Sequence, residues 1–380
     1  MWQETQMKKA EEVIAHFNNS APLHKYLKQY FRMHTNMGSK DRKLLSALVF
    51  NYFRLKGERK LEDIRAAITF ASAQESLAKD FYKYWITKIQ TTTNDIKTYL
   101  EFSGENYFPL YGHISHSVKK TEFLHSHMRK SGIWIRCRSK YYEAVIHELK
   151  THKYNYTIAG KDIILFKENY PLDRLESYEK GFFEIQDIAS QKVAELFKPE
   201  DNDYWWDCCA GSGGKSLSLI DKEENIQLLA SDARRTILKN LDDRLKKINF
   251  INYKSIELDL SEESSIAALN NYELFDGIIA DVPCSGSGTW SRAPEWLSFF
   301  TEEILNDYVL KQRKIISNAI QKLKKGSPLI YITCSAYADE NENNIQYFSE
   351  NFPLQLETQK YFQYSKEGGD TLFGAKLIKK

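Results

Sequence analysis

A chain of 380 residues with 42% hydrophobic, 13% aromatic and 27% charged residues has the make-up of a folded protein of two or three domains, not of a disordered or collagen-like one. No apolar run approaches the roughly 18 residues of a membrane span, the start MWQETQMKKAEE is too polar for a secretory signal peptide, and five cysteines without framework spacing fit a reducing compartment. The net charge of +2 hides a split: residues 1–180 carry 30 Lys and Arg against 20 Asp and Glu, residues 181–380 carry 23 against 31, and a basic front joined to an acidic back points to a polyanion-binding module attached to something else.

Residues 1–100 read as helical. Val13, Ile14 and Phe17 form one apolar stripe, Leu23, Leu27, Tyr30 and Phe31 a second, and Leu44, Leu45, Leu48, Val49, Tyr52 and Phe53 the clearest. Ser39 is placed to cap the last of these helices and Gly57 to end it. Pro22 is the single proline before Pro109, so a small all-α domain is expected. Residues 101–180 change character. IWIRCR (133–138) and DIILF (162–166) read as strands around a helix near 141–150, with Ala159-Gly160 as the hairpin turn, which makes a small α/β module.

From 181 onward strand and helix patterns alternate. YWWDCC (204–209), QLLASD (227–232), FDGIIAD (275–281) and LIYITC (329–334) are the strands, and KSLSLI, ARRTILKNLDDRLKKI and the long run TEEILNDYVLKQRKIISNAIQKLKK are helical. Such alternation predicts an α/β fold with a doubly wound, mostly parallel sheet, in which ligands sit at the carboxyl ends of the strands. Asp207, Asp232, Asp281 and Cys334 all fall at such ends. All nine histidines lie at or before His152, so chemistry in the back half has neither a His base nor a His metal ligand. Ser-His-Asp hydrolysis and His-ligated zinc are thereby excluded there, and no metal is expected.

The first of these strands closes on Asp207-Cys208-Cys209-Ala210-Gly211-Ser212-Gly213-Gly214-Lys215, which has neither dinucleotide-binding nor P-loop glycine spacing. Small residues let the backbone approach a ligand, amides at a helix start can hold a carboxylate, and an acid at the next strand end can hold ribose hydroxyls. With Asp232 as that acid, the pattern suits S-adenosylmethionine, a nucleoside that carries a carboxylate instead of phosphates. The chemical strings are DVPCSGSGTW (281–290) and YITCSAYADENE (331–342), each with a cysteine at or just past a strand end. A lone buried Cys is usually inert packing; two at neighbouring strand ends beside a nucleoside cofactor suggest chemistry. Spacing does not say which of the two attacks.

These strings, in order, resemble the NOL/NOP/Sun (Fmu-like, RsmB-type) RNA cytosine-5 methyltransferases. GFFEIQDIASQ (181–191), DCCAGSGGKS, ASDARRTILKNLDDRLKKI, DVPCSGSGTWSRAPEW, the helix containing Gln312, YITCSAYADENENN and the terminal GGDTLFGAKL all match. Two departures are Gly211-Ser212 in place of the usual Ala-Pro and Gly326-Ser327 in place of Gly-Gly; neither removes a reactive group. The resemblance implies a Rossmann-like class I methyltransferase domain over 181–380, S-adenosylmethionine as cofactor, and RNA as partner, ribosomal RNA ahead of transfer RNA. It implies that Cys334 is the nucleophile, that Cys284 resolves the adduct and that Asp281 holds the cytosine edge. It places Asp207, Cys209, Ala210, Gly211, Ser212, Gly213, Gly214, Lys215, Asp232, Asp259 and Asp281 around the cofactor. Lys215 and Arg292 are candidate positive neighbours that would lower the attacking thiol's pKa.

Residues 23–57 are similar to the NusB-like helical domain of some bacterial members, with Lys28, Arg32, Lys40, Arg42 and Lys43 as candidate phosphate contacts. The expected division is therefore 1–100 helical and RNA-binding, 101–180 substrate-side and 181–380 catalytic, in a monomer of the bacterial cytoplasm. Other readings are a non-catalytic RNA-binding ribosome assembly factor that keeps the fold, a transfer-RNA cytosine-5 methyltransferase, and an amino-group methyltransferase. The last needs no thiol and uses an Asp/Asn-Pro-Pro-aromatic string where this chain has Asp281-Val282-Pro283-Cys284.

Overall fold

The computed structural model describes residues 2–56, 64–73, 76–89 and 107–380. By contact the chain divides into two compact units. One joins Met1–Gly112, Leu124–Lys130 and Trp290–Glu302, and the other joins His113–Phe123, Ser131–Thr289 and Glu303–Lys380.

The first unit contains helices α1 (Trp2–His16), α2 (Leu23–Met33), α3 (Ser39–Lys56), α4 (Ile64–Ser72) and α5 (Lys79–Ile86). The helical stripes close on one core: Val13, Phe17, Leu23, Leu27, Tyr30, Leu44, Leu45, Leu48, Val49 and Phe53 are buried together. Ser39 is not the cap of α3. The amide of Arg42 donates to the carbonyl of Gly38 at 3.0 Å, so the helix begins one residue earlier and Ser39 lies inside its first turn. Gly57 and the boundary expected near residue 100 lie outside the described residues. The Trp290–Glu302 stretch packs within this unit. The Leu23 amide donates to Glu295 Oε1 at 3.0 Å, Arg54 Nη2 donates to the carbonyl of Ser291 at 3.0 Å, and Trp290 stacks on Phe108 at 5.1 Å.

The second unit holds two sheets. Strands β1 (Ile133–Cys137), β2 (Thr157–Gly160), β3 (Ile163–Phe166) and β4 (Phe183–Ile185) form an antiparallel sheet in the order β2-β3-β1-β4. Helix Tyr142–Thr151 covers one face through Val145, Ile146 and Leu149, which are buried with Ile135, Ile164, Phe166 and Phe183. The hairpin turn falls later than Ala159-Gly160. Both residues remain in β2, and Asp162 takes the left-handed conformation with φ of 63°, which Asp tolerates better than most residues. Because β4 lies beyond residue 180, the sheet that begins at β1 is not closed within 101–180; residues 113–123 and 131–180 share a unit with the chain that follows, whereas 124–130 fall in the first unit.

The larger sheet comprises β5 (Tyr204–Asp207), β6 (Gln227–Asp232), β7 (Tyr253–Glu257), β8 (Gly277–Asp281), β9 (Pro328–Thr333), β10 (Leu354–Gln363) and β11 (Thr371–Lys379). Their order is β10-β11-β9-β8-β5-β6-β7. The pairs among β5 to β9 are parallel, and β11 pairs antiparallel with both β9 and β10. Side chains alternate between two apolar cores, as a strand requires. Trp206, Leu229, Ile278, Leu329 and Tyr331 face one side with Ile315, Ile316 and Phe348. Trp205, Leu228, Ile279, Ile330 and Ile332 face the other with Leu217, Leu241 and Leu245. The sheet is thus covered by helices on both faces, and its order reverses between β5 and β8. That switch point is where an open α/β sheet leaves a crevice for a ligand.

Register at the switch point depends on a glycine. Gly277 lies opposite Trp205, and a Cβ there would sit 2.5 Å from the indole ring. Gly277→Ala is expected to destabilise the chain by about 1–3 kcal/mol through overpacking, measured as a lower midpoint of urea unfolding. An unchanged midpoint would contradict the packing of Trp205 across β8.

Candidate active site

The four residues expected at strand ends are there. Asp207, Asp232 and Asp281 are the last residues of β5, β6 and β8, and Cys334 follows β9 directly. Since β5, β8 and β9 are adjacent, Asp207, Asp281 and Cys334 end consecutive strands at the switch point.

Cys284 reaches the same rim from the loop after β8. The Cys284 and Cys334 sulfurs are 3.2 Å apart, and the Cys334 amide donates to Cys284 Sγ at 3.3 Å. Both side chains are partly exposed, and neither is in a disulfide. A sulfur–sulfur approach this close requires a proton between the two or a charge on only one of them. The hydrogen bond to Cys334, followed by burial and the nearby Glu340 carboxylate, pushes the Cys284 thiol well above its ordinary range.

Lys215 and Asp281 form an ion pair at 3.0 Å, with Lys215 almost wholly buried and Asp281 32% exposed. Lys215 also donates to Ser190 Oγ at 2.8 Å. The lysine is thus fixed beside the carboxylate, while the carboxylate keeps an open edge. Arg292 belongs to the other unit.

The loop after β5 turns through Gly211 (φ 53°) and Gly213 (φ 87°), left-handed conformations that glycine adopts without strain, and leads into helix Gly214–Ile220. Its position is fixed by bonds the sequence did not disclose. Arg244 Nη1 donates to the Ser212 carbonyl at 2.7 Å while its Nη2 donates to Glu184 Oε2 at 2.7 Å. The Cys208 and Ala210 amides donate to Ile279 and Ser231, at 2.9 and 2.8 Å. The Cys209 thiol is pushed well up by its bond to Cys208 and by burial, so it contributes backbone and shape rather than a thiolate.

Asp207 is fully buried, and burial, with Asp281 adding to it, pushes its carboxyl up to about 7 against a bond from Ser216 Oγ at 2.6 Å. Its Oδ1 has no hydrogen-bond partner among the described residues. Asp232 is less open than the sequence suggests. Its oxygens accept from the Gly211 amide, from the Arg234 amide and from Arg234 Nε, each at 3.0 Å. The Arg234 side chain is 64% exposed, so it can leave and free the carboxylate for ribose hydroxyls. Asp259 lies just past β7, and bonds from Ser261 Oγ and the Ser261 amide, at 2.6 and 2.9 Å, hold its carboxyl below the usual range.

These features fit the suspected nucleoside. Asp207 offers an unmet buried acceptor, a Cβ at Gly211 would meet nothing within 4 Å, and two further carboxylates end or follow the next two strands. No group of three or more His, Cys, Asp or Glu side chains among the described residues is placed to hold a metal ion, and none of the described helices is long and apolar enough to cross a membrane.

The sequence reading missed Ser216, Arg244, Glu184 and Glu340. Ser216 bonds Asp207 nine residues away across the loop, and the others act through partners distant in sequence, 60 residues for Arg244 and Glu184 and 55 for Glu340 and Ser285. The one signal available was an acid in the second cysteine string, Glu340, with serines flanking both cysteines.

The chain resembles known proteins in both sequence and fold. Residues 194–371 match the family model described as 16S rRNA methyltransferase RsmB/F. A ribosomal RNA small subunit methyltransferase B of Photorhabdus laumondii is 30% identical over 218 residues, which is 55% of this chain and 50% of the relative. Its counterpart in Xylella fastidiosa is 27% identical over 223 residues, 55% of this chain and 52% of the relative. The chain thus spans about half the length of the curated relatives it matches. Among solved structures, PH0851 aligns with a TM-score of 0.72 at 20% identity, over 94% of this chain and 95% of its own. NSun6 from Pyrococcus horikoshii, solved with SFG, aligns with a TM-score of 0.61 at 18% identity, over 69% and 94%. The structural matches establish the fold, and the sequence match the lineage: the domain spanning residues 194–371 belongs to the RsmB/F (Sun) methyltransferase family.

Proposed function

We propose that the chain is an S-adenosylmethionine-dependent RNA cytosine-5 methyltransferase that acts on ribosomal RNA through a covalent cysteine adduct. The observation that carries the reading is the pair of sulfurs 3.2 Å apart at the rim where Asp207 and Asp281, the latter paired with Lys215, end their strands. The curated relatives are named as ribosomal RNA methyltransferases, which supports that RNA class. The SFG bound to NSun6 is an S-adenosylmethionine analogue, which supports the cofactor.

When bound, the cofactor supplies an electrophilic methyl group on a sulfonium. The residues to hold it are the loop from Asp207 through Cys209, Ala210, Gly211, Ser212, Gly213, Gly214 and Lys215, together with Asp232, Asp259 and Asp281. The chain's own part begins at sulfur. Carbon 5 of cytosine is a poor nucleophile. The Cys334 thiolate adds to carbon 6, a sulfur–carbon bond forms, and the ring's π pair moves to carbon 5, which takes the methyl. Asp281 accepts from the exocyclic amine of the base, and Lys215 beside it offsets the negative charge that spreads into the ring. Once Cys334 is bonded to carbon, the hydrogen bond that chiefly held the proton on Cys284 is gone. Cys284 then gives its proton to solvent, its thiolate takes the proton from carbon 5, and the electrons of the broken carbon–hydrogen bond re-form the double bond to carbon 6 as the carbon–sulfur bond breaks and Cys334 leaves as thiolate.

The RNA must offer an unstacked base to this pocket. The helical unit is the site proposed for its backbone. Lys28, Arg32 and Arg42, three of the expected phosphate contacts, line a cavity of about 590 Å³ between α2 and α3 with His24, Phe31 and Phe50, and no lining side chain is acidic. Lys40 and Lys43 do not line it; Lys40 lies over the Trp2 ring at 5.9 Å.

Cys334→Ala is expected to abolish methyl transfer to RNA while cofactor binding, followed by calorimetry, persists. Cys284→Ala is expected to accumulate an RNA–protein adduct, seen as a shifted band on a denaturing gel. Full activity in the first variant or no band in the second would reverse or remove the assigned roles. The double variant Lys28→Gln/Arg32→Gln is expected to lower the salt dependence of RNA binding by about 1.4 in log–log slope, the loss of two single-strand phosphate contacts. Filter binding across a salt series measures it, and an unchanged slope would move the RNA elsewhere.

A further inference from the structure

Among the buried carboxylates that the mechanism above leaves unused, one is bonded to the Cys284 loop. Glu340, in the turn after β9, is 0% exposed. Its Oε1 accepts from the Ser285 amide at 2.8 Å and from Gln312 Nε2 at 2.9 Å, and its Oε2 accepts from Ser285 Oγ at 2.5 Å. Ser285 is the residue after Cys284. Gln312, on helix Glu302–Ala319, donates also to the carbonyl of Pro283 at 3.0 Å, the residue before Cys284. The far side of Gln312 is held as well: its Oε1 accepts from Asn344 Nδ2 at 2.7 Å and from the Tyr331 hydroxyl at 3.0 Å. The same network reaches the other cysteine loop. Ser285 Oγ lies 3.1 Å from Ser335 Oγ, and Ser335, which follows Cys334, lies 3.2 Å from Ser287 Oγ.

A buried carboxylate is costly unless donors surround it. Here burial pushes the carboxyl up while Ser285, Ser335 and Gln312 pull it back toward the anion. Three donor hydrogens aimed at two oxygens suit the ionised form. The titratable groups its charge reaches are Cys284 itself, Tyr308 on helix Glu302–Ala319, Tyr331 on β9 and Tyr337 in the turn; Arg313 acts on Tyr331 and Asp339 on Tyr337. Burial pushes all three tyrosines up, so they stay neutral. Arg313 is engaged by Asn344 Oδ1 at 2.8 Å and by the Tyr347 ring.

We propose that Glu340 is the positioning residue of the cysteine pair: it clamps the Cys284 loop against Cys334 and, as a negative charge on the Cys284 side, keeps the pair's proton on Cys284 so that Cys334 bears the thiolate. This rests on the two-thiol reading above and answers what spacing left open, namely which sulfur attacks.

The test is alkylation of the full-length chain by iodoacetamide, without RNA or cofactor, read by peptide mapping across pH 7–9 beside methyl-transfer kinetics. In the unaltered protein Cys334 is expected to react about ten-fold faster than Cys284, as its greater thiolate fraction requires. In Glu340→Gln that preference is expected to fall to within about two-fold, with kcat down by about 100-fold and the cofactor KM unchanged. Glu340→Asp keeps the charge but shortens the reach; it is expected to retain the Cys334 preference while losing turnover. If Glu340→Gln does not fold, Ser285→Ala removes one clamp bond and is expected to lower kcat by about ten-fold. A folded Glu340→Gln, or in its absence Ser285→Ala, with unchanged kcat and unchanged preference overturns the inference. Since alkylation requires no methyl transfer, an unaltered chain that labels Cys334 first yet methylates no RNA counts against the proposed function alone.

Discussion

Two sulfur atoms in contact at neighbouring strand ends constrain everything around them. At 3.2 Å both cannot carry charge, so the pair behaves as one acid whose proton has to be assigned to one side. On the proposed reading the surroundings make the assignment. The Cys284 side lies toward the Glu340 carboxylate, and the carboxylate's donors hold the loop on which Cys284 sits. The Cys334 side ends a parallel strand next to Asp281 and its lysine. In the proposed mechanism a nucleophile and a proton carrier arise from two identical side chains through environment alone, without a histidine. That matters in a back half that contains none.

The sheet exists to hold this arrangement still. Apolar side chains on both faces of β5, β8 and β9 fix the strands between helical layers, and the polar residues come only where each strand emerges. The cofactor loop is fastened from the side by Arg244, which grips Ser212 and Glu184 at once. The rim therefore combines rigid backbone with a small number of adaptable side chains, of which the exposed Arg234 over Asp232 is the clearest.

Much of this was legible in the sequence. Buried parallel strands appear as short apolar runs closed by a polar residue, which is why the sequence alone places Asp207, Asp232, Asp281 and Cys334 at strand ends. Strands without that signature were not seen. β7 is partly exposed along its length, β10 is exposed at six consecutive positions from Gln355, and β4 has three residues. The Glu340 network was also illegible, because its members meet only after folding: Ser285 is 55 residues from Glu340, and Gln312 is 28. The Trp290–Glu302 stretch shows the same limit at the scale of domains, since its packing with Phe108 and Leu23 follows from contacts far along the chain.

The claim on which the account stands is that Cys334 forms the bond to the base. RNA that carries 5-fluorocytosine at the target position blocks loss of the carbon-5 substituent and so halts turnover at the adduct. Digestion and mass spectrometry of the halted complex then report which cysteine holds the nucleotide. The account requires the added mass on the peptide containing Cys334 and none on that containing Cys284. Nucleotide on Cys284, or methylation of ordinary RNA with no trapped adduct on the fluorinated one, would contradict it.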